Sequence, residues 1–476
     1  MKTRSVRTPA GGVTAFGGTP RGGRVLPQDG GLPKGFRFGA ATAAYQIEGA
    51  AHEDGRGESI WDRFAHTPGR VAGGDNGDVA CDHYRRWRSD LDLMAALGIE
   101  AYRFSIAWPR VLPEGGGAVN PAGLRFYRRL AEGLRERGIE PIATLYHWDL
   151  PQALQVRGGW PSRDTAERFA EYASVVAAEL AGVVSEWVTI NEPWVVAFQG
   201  HAHGTKAPGL RDWPTALRAS HHVLLAHGLG TRALRAAIPD AKVGITLNLA
   251  PVHPVGSAPA DRLAAERMDG HLNRWFLDPL VRGAYPEDML ELYERRCGPI
   301  DFVDDGDLAL VAARTEFMGV NYYAPQRVRA DASRNPLGVG QAPPGPPTTA
   351  MGWEVAPDGL RELLVRIRDD YGDIPIYITE NGASYDDPPA QDGCVEDPER
   401  TAYLESHLAA LRQAIADGVR VERYCVWSLL DNFEWEHGYD KRFGIVSVDY
   451  ETQRRIPKRS GLWYRDYIER ARNGGG

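Results

Sequence analysis

The stretch YITENG at residues 377–382 carries a run of apolar and β-branched residues into a glutamate, Glu380, and then into an Asn-Gly turn. A second stretch, WVTINEPW at residues 187–194, has the same form: an apolar, strand-like segment reaches Glu192, and Pro193 follows it. Because charged residues often end strands merely to meet water, neither motif decides its own function. Whether the two glutamates share one site depends on the fold.

Outside these two stretches, short apolar segments rich in β-branched and aromatic residues alternate with longer amphipathic ones, the pattern of repeated β-α units. The segments predicted to be strands are 36–43, 101–108, 141–148, 185–192, 242–249, 316–323, 375–382 and 423–430. Eight such units predict an α/β fold, a single (β/α)₈ TIM barrel with elaborated loops after its strands.

The intervening segments have helical periodicity. Leu404, Leu408 and Leu411 fall on one face of a predicted helix. Asp164 and Glu167 have the spacing of a capping box, which predicts a helix over residues 164–181.

The barrel is predicted to form one domain over residues 35–472. The Pro/Gly-rich stretch 335–347 follows the sixth predicted strand directly, so we interpret it as a long loop within the barrel and not as a linker. Residues 1–34 are rich in Gly, Arg, Thr and Pro, and they lack the apolar core of a secretory signal. We predict that they form a disordered N-terminal extension.

Composition argues against several classes of protein. The 476 residues include 43% apolar and 25% charged residues, with no apolar run near the ~20 needed to span a membrane. A net charge of −8 with scattered Lys and Arg argues against nucleic-acid or membrane partners. Four distant cysteines form no zinc-binding or disulfide pattern, so we expect reduced thiols and a cytoplasmic location. A homo-oligomer stays open.

In a TIM barrel the carboxyl ends of all eight strands meet at one rim, where active sites lie. Glu192 ends the fourth predicted strand and Glu380 the seventh, so both are expected at the same mouth. Further polar and aromatic residues follow other strands: Gln46, Glu48, His147, Asn321, Tyr323 and the segment DNFEWEHGYD at 431–440. The sequence therefore predicts one site at this rim.

Five motifs occur in an order and spacing that resemble glycoside hydrolase family 1, the retaining β-glucosidases: FRFGAATAAYQIEGA, TINEPW, GVNYY, YITENG and VWSLLDNFEW. The resemblance covers nearly everything after Pro33. It implies that Glu192 is the general acid/base and that Glu380 is the nucleophile of a covalent glycosyl-enzyme. It also implies a separation of roughly 5 to 5.5 Å between the two carboxyl groups.

The resemblance also implies roles for residues around the glutamates. Arg103, Tyr323 and Asn321 would support the nucleophile, although Arg103 could equally form a buried ion pair between strands, and the two roles are compatible. The implied substrate-binding residues are Gln46, His147, Trp148, Asn191, Trp353, Trp427, Glu434, Trp435 and Phe443. Among them Trp427 would stack beneath the sugar, Asn191 would contact its 2-hydroxyl, and Trp353 would flank the leaving group.

Single-residue alternatives remain for two of these positions. His147 could be a core histidine bonded to backbone, and Trp353 could serve ordinary loop packing. The expected substrates are small β-glucosides or cello-oligosaccharides, with no cofactor. The preference among glucosides, galactosides and fucosides stays open.

Three other functions agree less well with the sequence. A 6-phospho-β-glucosidase is the main alternative because Lys441 and Tyr439 lie near Glu434, although a carboxylate there would repel a phosphate. A non-catalytic sugar-binding protein on the same fold would have lost one glutamate of the pair. A metal site is not expected, since neither the His201 and His203 pair nor the His221 and His222 pair has a carboxylate at ligand spacing.

Overall fold

The computed structural model describes residues 31–332 and 335–473, so most of the predicted N-terminal extension, residues 1–30, lies outside the described residues. Eight parallel strands close into a barrel. Their bounds are β1 Arg37–Ala41, β2 Ala101–Ser105, β3 Glu140–Tyr146, β4 Glu186–Asn191, β5 Lys242–Asn248, β6 Phe317–Asn321, β7 Ile376–Asn381 and β8 Val421–Trp427. Each strand pairs with its neighbours in the chain, and β1 pairs with β8.

All eight predicted strands are confirmed, but each ends earlier than predicted. The segment predicted as 101–108 leaves the sheet after Ser105, and a helical turn, Trp108–Val111, begins within it. The segment predicted as 141–148 ends at Tyr146. Apolar composition continues past the last ladder hydrogen bond because these residues stay buried at the rim, so composition cannot mark where the pairing stops.

Helices surround the barrel. The longer ones are His83–Ala96, Pro121–Glu136, Arg163–Leu180, Trp213–Ala237, Pro259–Asp269, Trp275–Arg282, Glu287–Cys297, Pro357–Tyr371, Pro398–Ala416 and Arg459–Arg472. Shorter helical segments are Ala44–Ile47, Ile60–Ala65, Ala72–Gly74, Trp108–Val111, Gln152–Val156, Val195–His203, Gly270–Arg274, Asp307–Val311 and Trp435–His437. The predicted apolar face of Pro398–Ala416 is confirmed, since Leu404, Leu408 and Leu411 are buried.

The helix predicted over 164–181 is confirmed as Arg163–Leu180, but its predicted cap is wrong. Ser162 is the N-cap residue, and no side chain caps the helix. Asp164 lies in the first turn and pairs with Arg168 at 3.3 Å. An acidic residue in the first turn favours the helix electrostatically. Asp164 therefore stabilises the start of the helix without capping it.

The loops after β5 and β6 together form a small three-stranded sheet, Val252–Pro254, Gln326–Ala330 and Val339–Gln341. The Pro/Gly-rich stretch at 335–347 thus belongs to a loop between β6 and the helix Pro357–Tyr371 and contributes a short strand to this sheet. Within the two described ranges, no helix combines the length and the apolarity that crossing a membrane would require.

The amino-terminal end of the barrel interior is closed by a buried charge cluster. Glu186 accepts hydrogen bonds from Arg423 and Lys242, each at 2.9 Å, and from the Tyr377 hydroxyl at 3.2 Å. The ring of Tyr377 stacks on Phe317 with centroids 3.9 Å apart. With this end filled, open space is left at the carboxyl ends of the strands.

Close approach of the segments after β7 and β8 sets the first prediction. A Cβ atom on Gly382 would lie 1.7 Å from the carbonyl oxygen of Trp427, a contact that only backbone movement can relieve. We expect Gly382→Ala to lower the free energy of unfolding by about 3 kcal/mol, measured from urea unfolding followed by tryptophan fluorescence. Gly116→Ala is the control, because its nearest neighbour is the flexible Arg168 side chain at 3.4 Å. Equal midpoints for the two variants would contradict the expected steric effect.

Candidate active site

A cavity of 610 Å³ opens at the carboxyl ends of the strands, within the range of small-molecule sites. The residues from the sequence prediction that line it are His147, Trp148, Glu192, Asn321, Tyr323, Trp353, Glu380, Trp427, Glu434, Trp435 and Phe443. Gln46, Arg103 and Asn191 are fully buried behind this lining. The two glutamates therefore do share one site.

Glu380 lies at the end of β7, beside Asn321 of β6, where the register between the strands shifts. Its Oε1 accepts a hydrogen bond from Arg103 Nη1 at 2.6 Å, and its Oε2 accepts one from the Tyr323 hydroxyl at 2.6 Å. Burial raises the pKa of Glu380 above its ordinary value, and the Arg103 charge and the hydrogen bonds to the carboxylate offset part of that rise. Donors on both oxygens favour the ionised carboxylate.

Glu192 follows β4 and has φ +51°, a left-handed conformation that is costly for a residue with a side chain. Its Oε1 accepts a hydrogen bond from Asn321 Nδ2 at 2.6 Å, and none of the described Lys, Arg and His side chains forms an ion pair with it. Burial, followed by the charge of Glu380, raises the pKa of Glu192 to about 8. At neutral pH this carboxyl group therefore favours the protonated form.

The amide of Asn321 lies between the two glutamates, and its orientation is determined by hydrogen bonds. The Thr379 hydroxyl donates to Oδ1 at 2.7 Å, so Nδ2 faces Glu192 and, at 3.2 Å, the Oδ1 of Asn191. The Asn321 amide also lowers the pKa of Glu380, so one side chain influences both carboxyl groups. Their separation of roughly 5 to 5.5 Å stays a prediction.

Arg103 joins several strands in addition to its ion pair with Glu380. Its Nη2 donates to Asn191 Oδ1 at 2.6 Å, and its Nε donates to Thr144 Oγ1 at 3.0 Å. These bonds connect β2 to β3 and β4, while the ion pair connects β2 to β7. The contact with Glu380 and the contacts between strands are thus made by one guanidinium group, which is fully buried.

His147 and Asn191 form a pair with a defined proton. Since Asn191 Oδ1 faces two donors, its Nδ2 is the atom that lies 3.1 Å from His147 Nε2, and that ring nitrogen must accept. Burial and the Arg103 charge hold the pKa of His147 well below its usual value, so the neutral ring carries its hydrogen on Nδ1. That donor has no hydrogen-bond partner within the described ranges. A core histidine bonded to backbone, the alternative interpretation, would not leave it so.

Gln46 and Glu434 meet at the cavity wall. Gln46 Nε2 donates to Asn432 Oδ1 at 2.9 Å and to the Phe433 carbonyl at 2.9 Å, and it lies 3.4 Å from Glu434 Oε2. Its Oε1 has no partner among the described residues. Burial raises the pKa of Glu434 to about 8, an effect that the charge of Lys206 opposes.

Two tryptophans of the cavity wall have strained backbones. Trp148 has φ +79° and Trp435 has φ +52°, and their rings lie 4.6 Å apart. The indole nitrogen of Trp148 donates to the Asn191 carbonyl at 3.0 Å, so it holds the end of β4. Left-handed backbone at bulky residues is characteristic of functional sites, where surrounding contacts enforce it.

The remaining predicted aromatic residues form a second wall. Trp353 packs against Tyr323 and Phe443, with ring centroids 5.2 and 6.0 Å away. Trp427 belongs to the same hydrophobic cluster, and its ring is nearly parallel to that of His147. Trp353 thus belongs to the cavity wall and also packs its loop, and its contact with a leaving group stays a prediction.

Sequence reasoning missed several residues of the cavity, including Trp194, Lys206 and Glu436. Trp194 and Glu436 lie inside the quoted motifs and could have been named from their positions. Lys206 had no such signal, because it lies in a loop after β4 without a recognisable pattern. Its Nζ lies 2.5 Å from Glu436 Oε2, and the two residues are far apart in the chain.

The residues named for phosphate or metal binding are bonded to other parts of the protein. Lys441 Nζ donates to the Ala350 carbonyl at 3.0 Å, and the Tyr439 hydroxyl donates to the Asn76 carbonyl at 2.7 Å. His221 bonds Asp307 and Tyr285 in the helical layer. Across residues 31–332 and 335–473, no group of three or more His, Cys, Asp or Glu side chains could hold a metal ion.

The fold and the cavity together define a class: a TIM-barrel glycosidase with a pair of buried carboxyl groups. The glycosyl hydrolase family 1 model matches residues 28–473. Beta-glucosidase A of Thermotoga maritima is 47% identical over 440 residues, which cover 92% of this chain and 98% of that protein. The bifunctional beta-D-glucosidase/beta-D-fucosidase of Bifidobacterium breve is 46% identical over 459 residues, covering 92% of this chain and 98% of that one.

A solved structure agrees with these matches. The beta-glucosidase from Thermotoga maritima in complex with glucoimidazole superposes with a TM-score of 0.89 at 46% identity, covering 93% of this chain and 99% of that chain. The chain belongs to glycosyl hydrolase family 1, and it is a hydrolase of O-glycosyl bonds.

The raised pKa of Glu192 predicts a stability effect. Between its ordinary value of 4.5 and about 8, the folded protein holds a proton that the unfolded chain has lost, so this contribution to stability falls as pH rises. Glu192→Gln removes that loss. We expect its melting temperature, relative to wild type, to be higher at pH 8 than at pH 5 by about 2 °C.

Differential scanning calorimetry at the two pH values would measure this. Glu405→Gln, an exposed site on the helix Pro398–Ala416, is the matched control and should behave like wild type at both. A gain from Glu192→Gln that does not grow with pH would contradict the burial of an uncompensated carboxyl group.

Proposed function

We propose that this protein is a retaining β-glycosidase, a β-glucosidase that releases terminal non-reducing β-D-glucosyl residues through a covalent glycosyl-enzyme. The observation that carries the proposal is the unequal treatment of the two glutamates. Glu380 has donors on both oxygens, whereas Glu192 has a single neutral donor and a pKa raised to about 8. The surroundings of Glu380 suit a nucleophile, and those of Glu192 suit a general acid.

In the first step, the carboxylate of Glu380 attacks the anomeric carbon while Glu192 protonates the glycosidic oxygen. The bond to that oxygen breaks, the leaving group departs as an alcohol, and a glycosyl ester forms on Glu380. Arg103 and Tyr323 hold the carboxylate in place until its charge is spent in the new bond. Attack from the face opposite the leaving group inverts the anomeric carbon.

In the second step, the ionised Glu192 takes a proton from water, and the resulting hydroxide attacks the same carbon. The ester bond breaks, Glu380 regains its charge, and the second inversion restores the β configuration. The charge of Glu380 raises the pKa of Glu192. Because this charge is lost when the ester forms and returns when the ester breaks, the pKa of Glu192 falls between the two steps and then rises again.

The sugar would be held by polar atoms whose hydrogen bonding is incomplete within the protein. His147 Nδ1 is such a donor, and Gln46 Oε1 is such an acceptor once the surrounding side chains admit the substrate. Asn191 Nδ2 has a second hydrogen available for the 2-hydroxyl group, and Trp427 offers an apolar face to the ring. Buried groups of this kind reject a substrate that lacks the matching hydroxyl.

The proposed substrates are β-glucosides and cello-oligosaccharides, with β-fucosides or β-galactosides as additional substrates. The name of the Bifidobacterium breve relative supports fucosides as additional substrates. Against phosphorylated glycosides, Glu434 lines the cavity, while Lys441 and Tyr439 are bonded to backbone carbonyls. The free state of Cys81, Cys297, Cys394 and Cys425 supports a cytoplasmic location.

The test of the reaction compares p-nitrophenyl β-D-glucoside with its galactoside, fucoside and 6-phosphoglucoside counterparts. We expect hydrolysis of the neutral sugars, with retention at the anomeric carbon seen by proton NMR. Glu380→Gln should lower kcat by roughly 10⁴-fold or more with folding intact, because no ester can form. Glu405→Gln is the control of equal chemistry outside the cavity. Activity that survives in Glu380→Gln would refute the nucleophile, and an inverted product would refute double displacement.

The acid role of Glu192 predicts dependence on the leaving group. For Glu192→Gln we expect kcat/KM to fall by roughly 10² to 10⁴-fold for cellobiose and much less for 2,4-dinitrophenyl β-D-glucoside, whose phenolate leaves without a proton. The constant kcat/KM isolates the first step, so the loss of base in the second step does not enter. Equal losses on both substrates would count against Glu192 as the acid.

A further inference from the structure

The cavity wall has an uneven charge distribution. Four glutamates line it within the described ranges, Glu192, Glu380, Glu434 and Glu436, and the lining includes a single side chain with a permanent ammonium group, Lys206. Arg103 pairs with Glu380 from behind the wall. Lys206 is thus the cation that shares the solvent-facing space with the other three carboxyl groups.

Lys206 is held in one place. Its Nζ forms an ion pair with Glu436 Oε2 at 2.5 Å, and its side chain is only 12% exposed. The same Nζ lies 5.4 Å from the ring centroid of Trp148, close enough for a cation–π contact. A lysine on a surface loop would sample many rotamers, but these two contacts leave its charge at one point.

This ion pair joins the loop that carries Glu192 to the loop that carries Glu434. Lys206 belongs to the loop after β4, as does Glu192, and Glu436 lies two residues after Glu434 in the loop after β8. A backbone hydrogen bond from Glu434 to the Gly438 carbonyl, at 2.7 Å, makes the second loop compact. Movement of either loop would therefore change the field at Glu192 and Glu434 together.

We propose that Lys206, locked in place by Glu436, is a positioning residue that acts electrostatically on the carboxyl groups of Glu192 and Glu434. The inference rests on the proposed function, in which Glu192 must give up a proton in one step and take one back in the next. Lys206 touches neither carboxyl group and would act through its charge across the cavity.

Other charges also face Glu192. They are Arg103 on β2, Glu380 on β7 and Glu434 after β8, while the Tyr323 hydroxyl group and the neutral ring of His147 lie in the lining of the same cavity. Glu380 raises the pKa of Glu192, whereas Arg103 and Lys206 lower it. Arg103 is committed to Glu380 by an ion pair, so Lys206 is the cation whose removal leaves that pair intact.

The charge of Lys206 also lowers the pKa of Glu434. It is the largest influence opposing the burial that raises the pKa of Glu434, and Glu436 acts in the opposite direction. An ionised Glu434 accepts hydrogen bonds from sugar hydroxyl groups with both oxygens, while a protonated one must donate with one of them. Lys206 would thus support sugar binding and proton transfer at the same time.

The two halves of the ion pair give a sharp test. Lys206→Met removes the positive charge and leaves Glu436 unpaired, so the basic limb of the kcat/KM profile, which reports Glu192 in the free enzyme, should move to higher pH by roughly half a unit or more. Glu436→Gln leaves Lys206 uncompensated, so the limb should move to lower pH. A purely structural link between the loops predicts that both variants shift the limb alike or leave it in place.

Two further variants complete the set. Lys206→Arg keeps the charge and should retain the wild-type limb, while Lys206→Met combined with Glu436→Gln removes both charges and should shift the limb less than Lys206→Met alone. Unmoved limbs, or shifts of the same sign for the two single variants, would overturn the proposal.

A readout without turnover separates this proposal from the proposed function. Infrared difference spectra against Glu192→Gln identify the protonated carboxyl band of Glu192, and its loss with rising pH gives the same titration. Opposite shifts of this band in Lys206→Met and Glu436→Gln would support the role of Lys206 even in a protein that hydrolyses no glycoside, and unchanged bands would overturn it in an active one.

Discussion

Two carboxyl groups that share one buried cavity cannot both be ionised without compensation, and the site is organised around that constraint. Glu380 receives a guanidinium and a phenol hydroxyl, whereas Glu192 receives one amide donor. Burial then raises the pKa of Glu192 to about 8. The difference between the two glutamates is therefore a property of their surroundings, since the residues themselves are chemically identical.

Barrel closure is what makes this unequal treatment achievable. Because all strands are parallel, their carboxyl ends meet at one rim, and β2, β4, β6 and β7 each contribute a side chain within hydrogen-bond distance of the next. Arg103 is the centre of that network. It forms an ion pair with Glu380 and orients Asn191, and its charge adds to the burial that lowers the pKa of His147. Removing it would disturb the proposed nucleophile, the proposed sugar contacts and the joints between strands at once.

The site carries costs that the rest of the barrel must offset. Glu192, Trp148 and Trp435 have left-handed backbones, and buried polar atoms of His147 and Gln46 are without partners among the described residues. Such features are expected where a substrate is to complete the hydrogen bonding. The large buried core and the charge cluster around Glu186 at the opposite end supply the rigidity that holds them.

The sequence alone determined the number, order and type of the barrel strands, and it identified both glutamates, because apolar periodicity and the motifs at strand ends are local features. It overestimated strand ends and misassigned the cap of the helix Arg163–Leu180, since both depend on individual hydrogen bonds. Only the tertiary structure decided how unequally the two glutamates are hydrogen-bonded, how Asn321 is oriented, and that Lys206 pairs with Glu436. Those properties arise from burial and from charges brought together across the barrel, and residues distant in the chain acquire such neighbours only when it closes.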